Sequence, residues 1–274
     1  MIQSIFDETT LYNGVKMPWL GLGVYKTEEG EEVEHAVHTA LEAGYRSIDT
    51  ASFYGNEVGV GKAIGESTIA RKDIFVTTKV WNDDQGYENT LAAFEQSLEK
   101  LKLDYIDLYL IHWPVSGMYK ETWQAMEKLY EEGRVKAIGV CNFQIHHLED
   151  LLEECKIKPM VNQVEYHPRL TQKDLHQFCK EQNIQLEAWR PIMRGESLDH
   201  PTLVELSEQY GKTPVQVILR WDLENEVVTI PKSVHKDRIY ANADIFDFQL
   251  DAKDVGKLEA MNENHRFGPH PDDF

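Results

Sequence analysis

The sequence predicts an α/β protein: a (β/α)8 barrel of the TIM type with an N-terminal β-hairpin as a cap. Three observations predict it. Short apolar runs without clean alternation recur eight times, as expected of parallel strands buried on both faces. Amphipathic helical segments separate them, and eight units of roughly 25–30 residues reach about the ~250 residues that such a barrel needs. The competing doubly wound sheet normally carries a glycine-rich fingerprint after its first strand, and none stands there.

Each element has its own reason. Leu11-Tyr-Asn-Gly-Val-Lys-Met17 sets Asn13-Gly14 between two apolar-alternating runs. That is a strong hairpin signal, with positive φ expected at both turn residues. Pro18 then ends the ribbon. Strands are expected over residues 20–25, 46–49, 74–80, 105–111, 135–140, 160–164, 184–189 and 227–230. Helices are expected between them over 31–43, 57–66, 87–101, 120–132, 145–154 and 172–181. Two more, 203–210 and 214–225, fill the gap before the eighth strand, and 236–245 and 251–261 close the chain. In the third helix Leu91, Phe94, Leu98 and Leu101 make one apolar stripe. Gly59-Val-Gly61-Lys-Ala-Ile-Gly65 has the wrong spacing for a fingerprint. Nor is it a phosphate loop, because Ala63 follows Lys62 where a Mg²⁺-binding hydroxyl is needed. Residues 1–274 are read as a single domain.

Composition excludes some partners. A formal charge of −19 disfavours nucleic acid and anionic membranes, so an anionic ligand needs a local basic patch. Cys141, Cys155 and Cys179 show no CxxC pairing and read as reduced thiols of a cytoplasmic protein. The first residues lack a basic-then-apolar secretion signal, and no window approaches the ~20 apolar residues of a membrane span.

The chemistry is expected where the strands end. In order, those ends offer Tyr25, Asp49 with Tyr54, Lys79 with Trp81, and His112 with Trp113. They continue with Cys141-Asn142, Gln163 with Glu165, Trp189-Arg190, and Lys232-Ser233. One polar strand end is ordinary; the whole series is a site. A phenol is a poor acid near neutrality, its pKa being about 10. An ammonium at Lys79 would lower it, Asp49 would keep Lys79 charged, and His112 could bond the reacting oxygen. That set suits carbonyl–alcohol chemistry but holds no electron source, so a hydride donor must come from outside. Taken alone, Lys79–Asp49 also reads as a structural ion pair and Tyr54 as turn surface. His35/His38 and His146-His147 read as solvated faces, since no companion acid or thiol has matching spacing, and no metal is expected. Around residues 230–238, Lys232, Ser233 and Arg238 surround a helix start, an arrangement that phosphates use.

These residues resemble the aldo-keto reductases along almost the whole chain. The motifs are Gly21-Leu-Gly23, Asp49-Thr-Ala-Ser-Phe-Tyr54-Gly-Asn-Glu57, Thr78-Lys79-Val-Trp81 and Ile111-His112-Trp113-Pro114. Gly139-Val-Cys-Asn-Phe143, Asn162-Gln163 and Ile230-Pro-Lys-Ser233 through Arg238 and Asn242 complete them. The chain is most similar to the small bacterial branch that includes glyoxal, methylglyoxal and diketogluconate reductases. The resemblance implies a cytoplasmic, monomeric enzyme reducing small carbonyls with NADPH. It implies a tetrad of Asp49, Tyr54, Lys79 and His112 with Tyr54 the general acid. Asp49, Cys141, Asn142 and Gln163 would lie at the nicotinamide and Trp189 would stack on it. Arg190, Pro191, Ile192 and Arg194 would follow the pyrophosphate, and Lys232, Ser233, Val234, Arg238 and Asn242 the adenosine 2′-phosphate and adenine. Tyr25, Tyr54, Trp81, His112 and Trp113 would line the substrate pocket.

Three positions depart from the family pattern. Cys141 stands where Ser is usual, Ala241 where Glu is common, and Arg190 where a small residue is usual. With a short segment after Pro114 and little chain beyond the last helix, a shallow, open pocket is expected. Two other readings stay open: a barrel lyase using Lys79 as a Schiff-base nucleophile, and a non-catalytic NADPH-binding sensor.

Overall fold

The computed structural model describes residues 2–274 and has the expected barrel. Strands β1 (Glu8–Thr10) and β2 (Lys16–Pro18) form an antiparallel ribbon with Thr9 opposite Met17. Eight further strands lie parallel in chain order. They are β3 (Leu22–Gly23), β4 (Ser47–Asp49), β5 (Phe75–Val80) and β6 (Ile106–Ile111). Then come β7 (Val135–Cys141), β8 (Val161–Glu165), β9 (Gln185–Trp189) and β10 (Val228–Thr229). Parallel bridges Leu20–Thr229 and Gly23–Lys232 join the last strand to the first, and the Gly21 amide donates to the Thr229 carbonyl at 3.0 Å. The sheet therefore closes and leaves no edge.

Helices α1 (Glu31–Glu42), α2 (Glu57–Glu66), α3 (Tyr87–Leu101), α4 (Tyr119–Glu131), α5 (Ile145–Leu152) and α6 (Lys173–Glu181) follow β3 to β8 in turn. The two helices α7 (Pro201–Tyr210) and α8 (Pro214–Glu224) precede β10, and α9 (Lys236–Ala243) and α10 (Ala252–Glu259) follow it. Strands β5 and β6 are buried at every residue, which is why the sequence shows no alternation there. Helix α7 begins earlier than periodicity predicts, because Pro201 occupies its first turn and the His200 ring accepts from the Thr202 amide. Among the described residues, no helix is long and apolar enough to cross a membrane.

The hairpin turn differs from expectation. Of Asn13 and Gly14 only Gly14 has positive φ, at 89°. The connection is longer than two residues: the Leu11 amide donates to Val15 O, and Asn13 turns its side chain back to the Val15 amide. Asn13 and Tyr12 also donate to the carbonyls of Lys136 and Lys158, and Thr9 to Gln185. Those partners precede or begin strands, so the ribbon covers the barrel end opposite the strand termini.

The glycines of α2 serve packing. A Cβ on Gly61 would lie 2.2 Å from the carbonyl oxygen of Leu101, and one on Gly59 2.4 Å from a Val33 methyl. Helix α2 thus nests against α1 and the end of α3 at distances only glycine allows. Gly61→Ala should lower unfolding stability by about 1–3 kcal/mol, the usual cost of overpacking. Urea unfolding would measure this; an unchanged midpoint would mean that the helices can part freely.

Candidate active site

Two neighbouring strands supply the centre. Asp49 ends β4 opposite Thr77 of β5, and Lys79 follows two residues later on the same inward face. Lys79 Nζ donates to Asp49 Oδ1 at 2.6 Å, to the Thr50 carbonyl at 2.9 Å and to the Tyr54 hydroxyl at 3.3 Å. Both ions are buried, Lys79 completely. Tyr54 closes a single 3₁₀ turn, Ser52–Tyr54, that ends on Gly55 at φ 70°, the left-handed geometry glycine permits. His112, just past β6, sets its ring edge-on to Tyr54 with centroids 5.7 Å apart. All four residues singled out in the sequence meet.

Their charges follow from burial and neighbours. Burial acts to lower the Lys79 pKa, but Asp49, then Tyr54 and Cys141, outweigh it and hold the ammonium charged. Its three hydrogens already serve three acceptors, which leaves no free amine to attack a carbonyl as a lyase would require. Burial raises the Tyr54 phenol; Lys79 pulls it down in the expected sense but does not offset the burial. Burial and then Lys79 press the His112 pKa well below its ordinary value, so the ring is neutral.

Three more strand ends interlock. Asn142 adopts φ 65°, its amide donates to the His112 carbonyl at 2.9 Å, and its oxygen accepts from Trp189 Nε1 at 2.8 Å. Gln163 Nε2 donates to Asp49 Oδ2 and to Glu187 Oε2, both at 2.8 Å. Cys141 Sγ lies 3.8 Å from Gln163 Oε1, a weak thiol hydrogen bond. Glu187, buried in β9, was absent from the sequence reading.

The pocket wall is aromatic. Tyr25 packs on Tyr54 at 4.9 Å, and Trp81 meets His112 edge-on at 5.0 Å. Phe53, also not anticipated, stacks on Trp81 at 3.7 Å. Trp113 stacks on Phe274 at 4.2 Å, so the tail covers that side of the expected open pocket, while Tyr25 and Phe53 stay exposed. Residues 260–274 return over the strand ends because buried Glu165, ending β8, accepts from the amides of Phe267 at 2.7 Å and Gly268 at 3.0 Å. His167 lies 3.2 Å from the same carboxylate, and Arg169 pairs with Glu263. Burial acts to raise Glu165, but His167 and the two amides outweigh it and hold the carboxylate ionised.

The basic residues form two groups. After β9, Arg190 (φ 53°), Met193 (φ 53°) and Arg194 (φ 59°) are all left-handed. Arg190 is half-buried over the Trp189 ring, its centre 5.1 Å away, and its Nη1 is buried without a hydrogen-bond partner. Pro191 is buried and Ile192 half-buried beside it. At the α9 start, Lys232 and Arg238 are exposed, and no described carboxylate pairs with either. Ser233 and Asn242 are buried and Val234 half-buried, with Ser233 Oγ accepting from the His235 amide at 3.1 Å.

Comparison with known proteins agrees with this geometry. The sequence profile of the aldo/keto reductase family matches residues 19–263. This chain belongs to that family. It is 59% identical to glyoxal reductase of Bacillus subtilis over 274 residues, covering 100% of this chain and 99% of the relative. It is 48% identical to methylglyoxal reductase DkgA of Salmonella typhimurium over 268 residues, 96% of each chain. Among solved structures, a mutant of Gox0644 in complex with NADPH superposes with a TM-score of 0.93 at 42% identity over 97% of each chain.

His146 does find a companion acid, supplied from the far end of the chain. Its Nε2 lies 3.1 Å from Asp272, with His147 Nε2 at 3.6 Å, and among the described residues this is the one such group of three. Spacing could not reveal it. His147 Nδ1 accepts from the Gln144 amide in the cap of α5, so the cluster is explained as a tie between tail and helix. Glu165→Gln removes the charge holding the tail and should raise hydrogen exchange at Phe267 and Gly268 by about tenfold or more, the size of a charge-assisted bond. Mass-spectrometric exchange would read this; unchanged protection would place the anchor elsewhere.

Proposed function

We propose that this reductase converts aldehydes, ketones and small dicarbonyls to alcohols with NADPH, Tyr54 acting as general acid. One observation carries the reading: a buried, permanently charged Lys79 holds the Tyr54 hydroxyl at 3.3 Å, beneath an aromatic pocket. The names of the relatives support the carbonyl class, and the NADPH-bound neighbour supports the cofactor.

The residues present fit that cofactor. An orphaned guanidinium nitrogen at Arg190 and unpaired cations at Lys232 and Arg238 are groups awaiting an anion. Asp49, Cys141, Asn142 and Gln163 would hold the nicotinamide end and Trp189 its ring face. Arg190, Pro191, Ile192 and Arg194 would take the pyrophosphate. Lys232, Ser233, Val234, Arg238 and Asn242 would take the adenosine end. When bound, NADPH supplies the hydride.

The chain's own residues do the rest. Neutral His112 orients the carbonyl oxygen without competing for its proton. Tyr54 then gives its proton to that oxygen, and Lys79 stabilises the phenolate left behind. Tyr25, Trp81 and Trp113 would form the aromatic walls against which the carbonyl packs. Free thiols at Cys141, Cys155 and Cys179 support a cytoplasmic setting, and we take the working unit to be the monomer.

Tyr54→Phe should lower kcat with methylglyoxal by at least ~10²–10⁴-fold and leave NADPH affinity nearly intact. Retention of most of kcat would sink the acid role. Negligible turnover by the wild type on every carbonyl, with NADPH still bound, would instead favour a sensor. Arg238→Ala should weaken NADPH by about 1.5–3 kcal/mol and spare NADH, which lacks the 2′-phosphate. Arg190→Ser should weaken both cofactors alike, because the pyrophosphate is common to both. Dissociation constants from tryptophan quenching decide; equal loss of both cofactors in Arg238→Ala would refute the 2′-phosphate assignment.

A further inference from the structure

Glu187 lies within β9, buried inside the barrel, two residues before Trp189 and on the same face. Its Oε2 accepts from Gln163 Nε2 at 2.8 Å, and the second hydrogen of that amide goes to Asp49 Oδ2, also at 2.8 Å. One side-chain amide therefore spans two carboxyl groups. Both of its donors are spent on them, and its Oε1 takes only the weak bond from the Cys141 thiol at 3.8 Å. The two carboxyls are not equivalent. Asp49 has the Lys79 ammonium at 2.6 Å, whereas Glu187 Oε1 is buried with no partner.

We propose that Glu187 is a positioning residue for the reducing centre: through Gln163 it holds Asp49 in register, and by changing between acid and carboxylate it sets how readily Tyr54 releases its proton. The proposal rests on the carbonyl-reductase reading of the same site. Its groups are Asp49 from β4, Lys79 from β5, Cys141 from β7 and Gln163 from β8; the register neighbour on β10 is uncharged Val228. Burial and then Asp49 push Glu187 up to about 8, against the pull of Gln163 and Lys79. Near neutrality it is thus the uncharged acid, and the only negative charge on the shared amide belongs to Asp49. Above that pH a second carboxylate forms beside the Asp49–Lys79–Tyr54 chain. It opposes formation of the Tyr54 phenolate, so proton delivery slows.

Glu187→Gln keeps the shape and the acceptor for Gln163 but cannot ionise. Single-turnover oxidation of bound NADPH by methylglyoxal, followed from weakly acidic to alkaline pH, reads the chemical step. The wild-type rate should fall as pH rises through about 8, and E187Q should stay within a few-fold of wild type at neutral pH yet lack that fall. The same fall in both proteins, or none in the wild type, overturns the proposal while the reductase reading stands. Inactivity of the wild type on every carbonyl sinks both.

Unfolding gives a second readout. The folded-state value, about 8, lies above the ordinary 4.5, so across that window the folded chain keeps a proton that the unfolded chain has lost. Wild-type stability should fall relative to E187Q as pH rises between those values. Parallel stability curves contradict the neutral acid, and so does failure of E187Q to fold, since Gln is the closest mimic of that acid.

Discussion

The site depends on keeping one ammonium, that of Lys79, charged inside a barrel where its side chain has no exposed surface. Removing two ions from water costs several kcal/mol for each, roughly, and their attraction repays this only with good geometry and satisfied hydrogen bonds. Here the geometry comes from sheet register. Parallel pairing of β4 and β5 sets Asp49 and Lys79 on one inward face, and Thr50 and Gln163 supply the remaining bonds. The third acceptor of Lys79 is the Tyr54 hydroxyl. A structural ion pair and the proposed catalytic group are therefore one arrangement, and the two readings open at the sequence level do not compete.

That arrangement was legible because it is local to strand ends. Asp49, Lys79, His112, Asn142, Gln163 and Trp189 all stand where an apolar run stops. Phe53 was passed over although it adjoins Tyr54, since an aromatic in a turn has many uses. Glu187 carried a fainter signal: in Gln185-Leu-Glu-Ala-Trp189 it shares the face of Trp189, so an inward carboxylate could have been read from alternation. The tail gave no signal. Its tie to Glu165 spans more than 100 residues, as Phe267 and Gly268 donate through backbone amides that any residues would provide. The same distance hid Asp272 from the His146-His147 pair.

The loop after β9 is the least regular part of the site. Four left-handed non-glycine residues within it, Arg190, Met193, Arg194 and Ser197, cost on the order of 1–3 kcal/mol each, and such strain persists where surroundings over-determine it. The surroundings are visible. A Cβ on Gly268 would lie 2.5 Å from Trp189, 3.1 Å from Glu165 and 3.2 Å from Arg190, so tail, strand end and loop press together at one point. Arg190, the departure from the family pattern, is thereby held over Trp189 with one buried nitrogen unpaired. Tail and loop are thus packed against one another, although they come from distant parts of the chain.

The central claim is electrostatic: Lys79 opposes the burial that makes Tyr54 a reluctant acid. Lys79→Met removes the charge and keeps much of the side chain's length. Single-turnover hydride transfer from bound NADPH to methylglyoxal, with NADPH affinity checking the fold, tests it most directly. The account predicts a loss of at least ~10²-fold in the transfer rate with affinity nearly unchanged, and no full recovery in Lys79→Arg, whose planar fork does not mimic a point charge. A transfer rate within a few-fold of the wild type would contradict it.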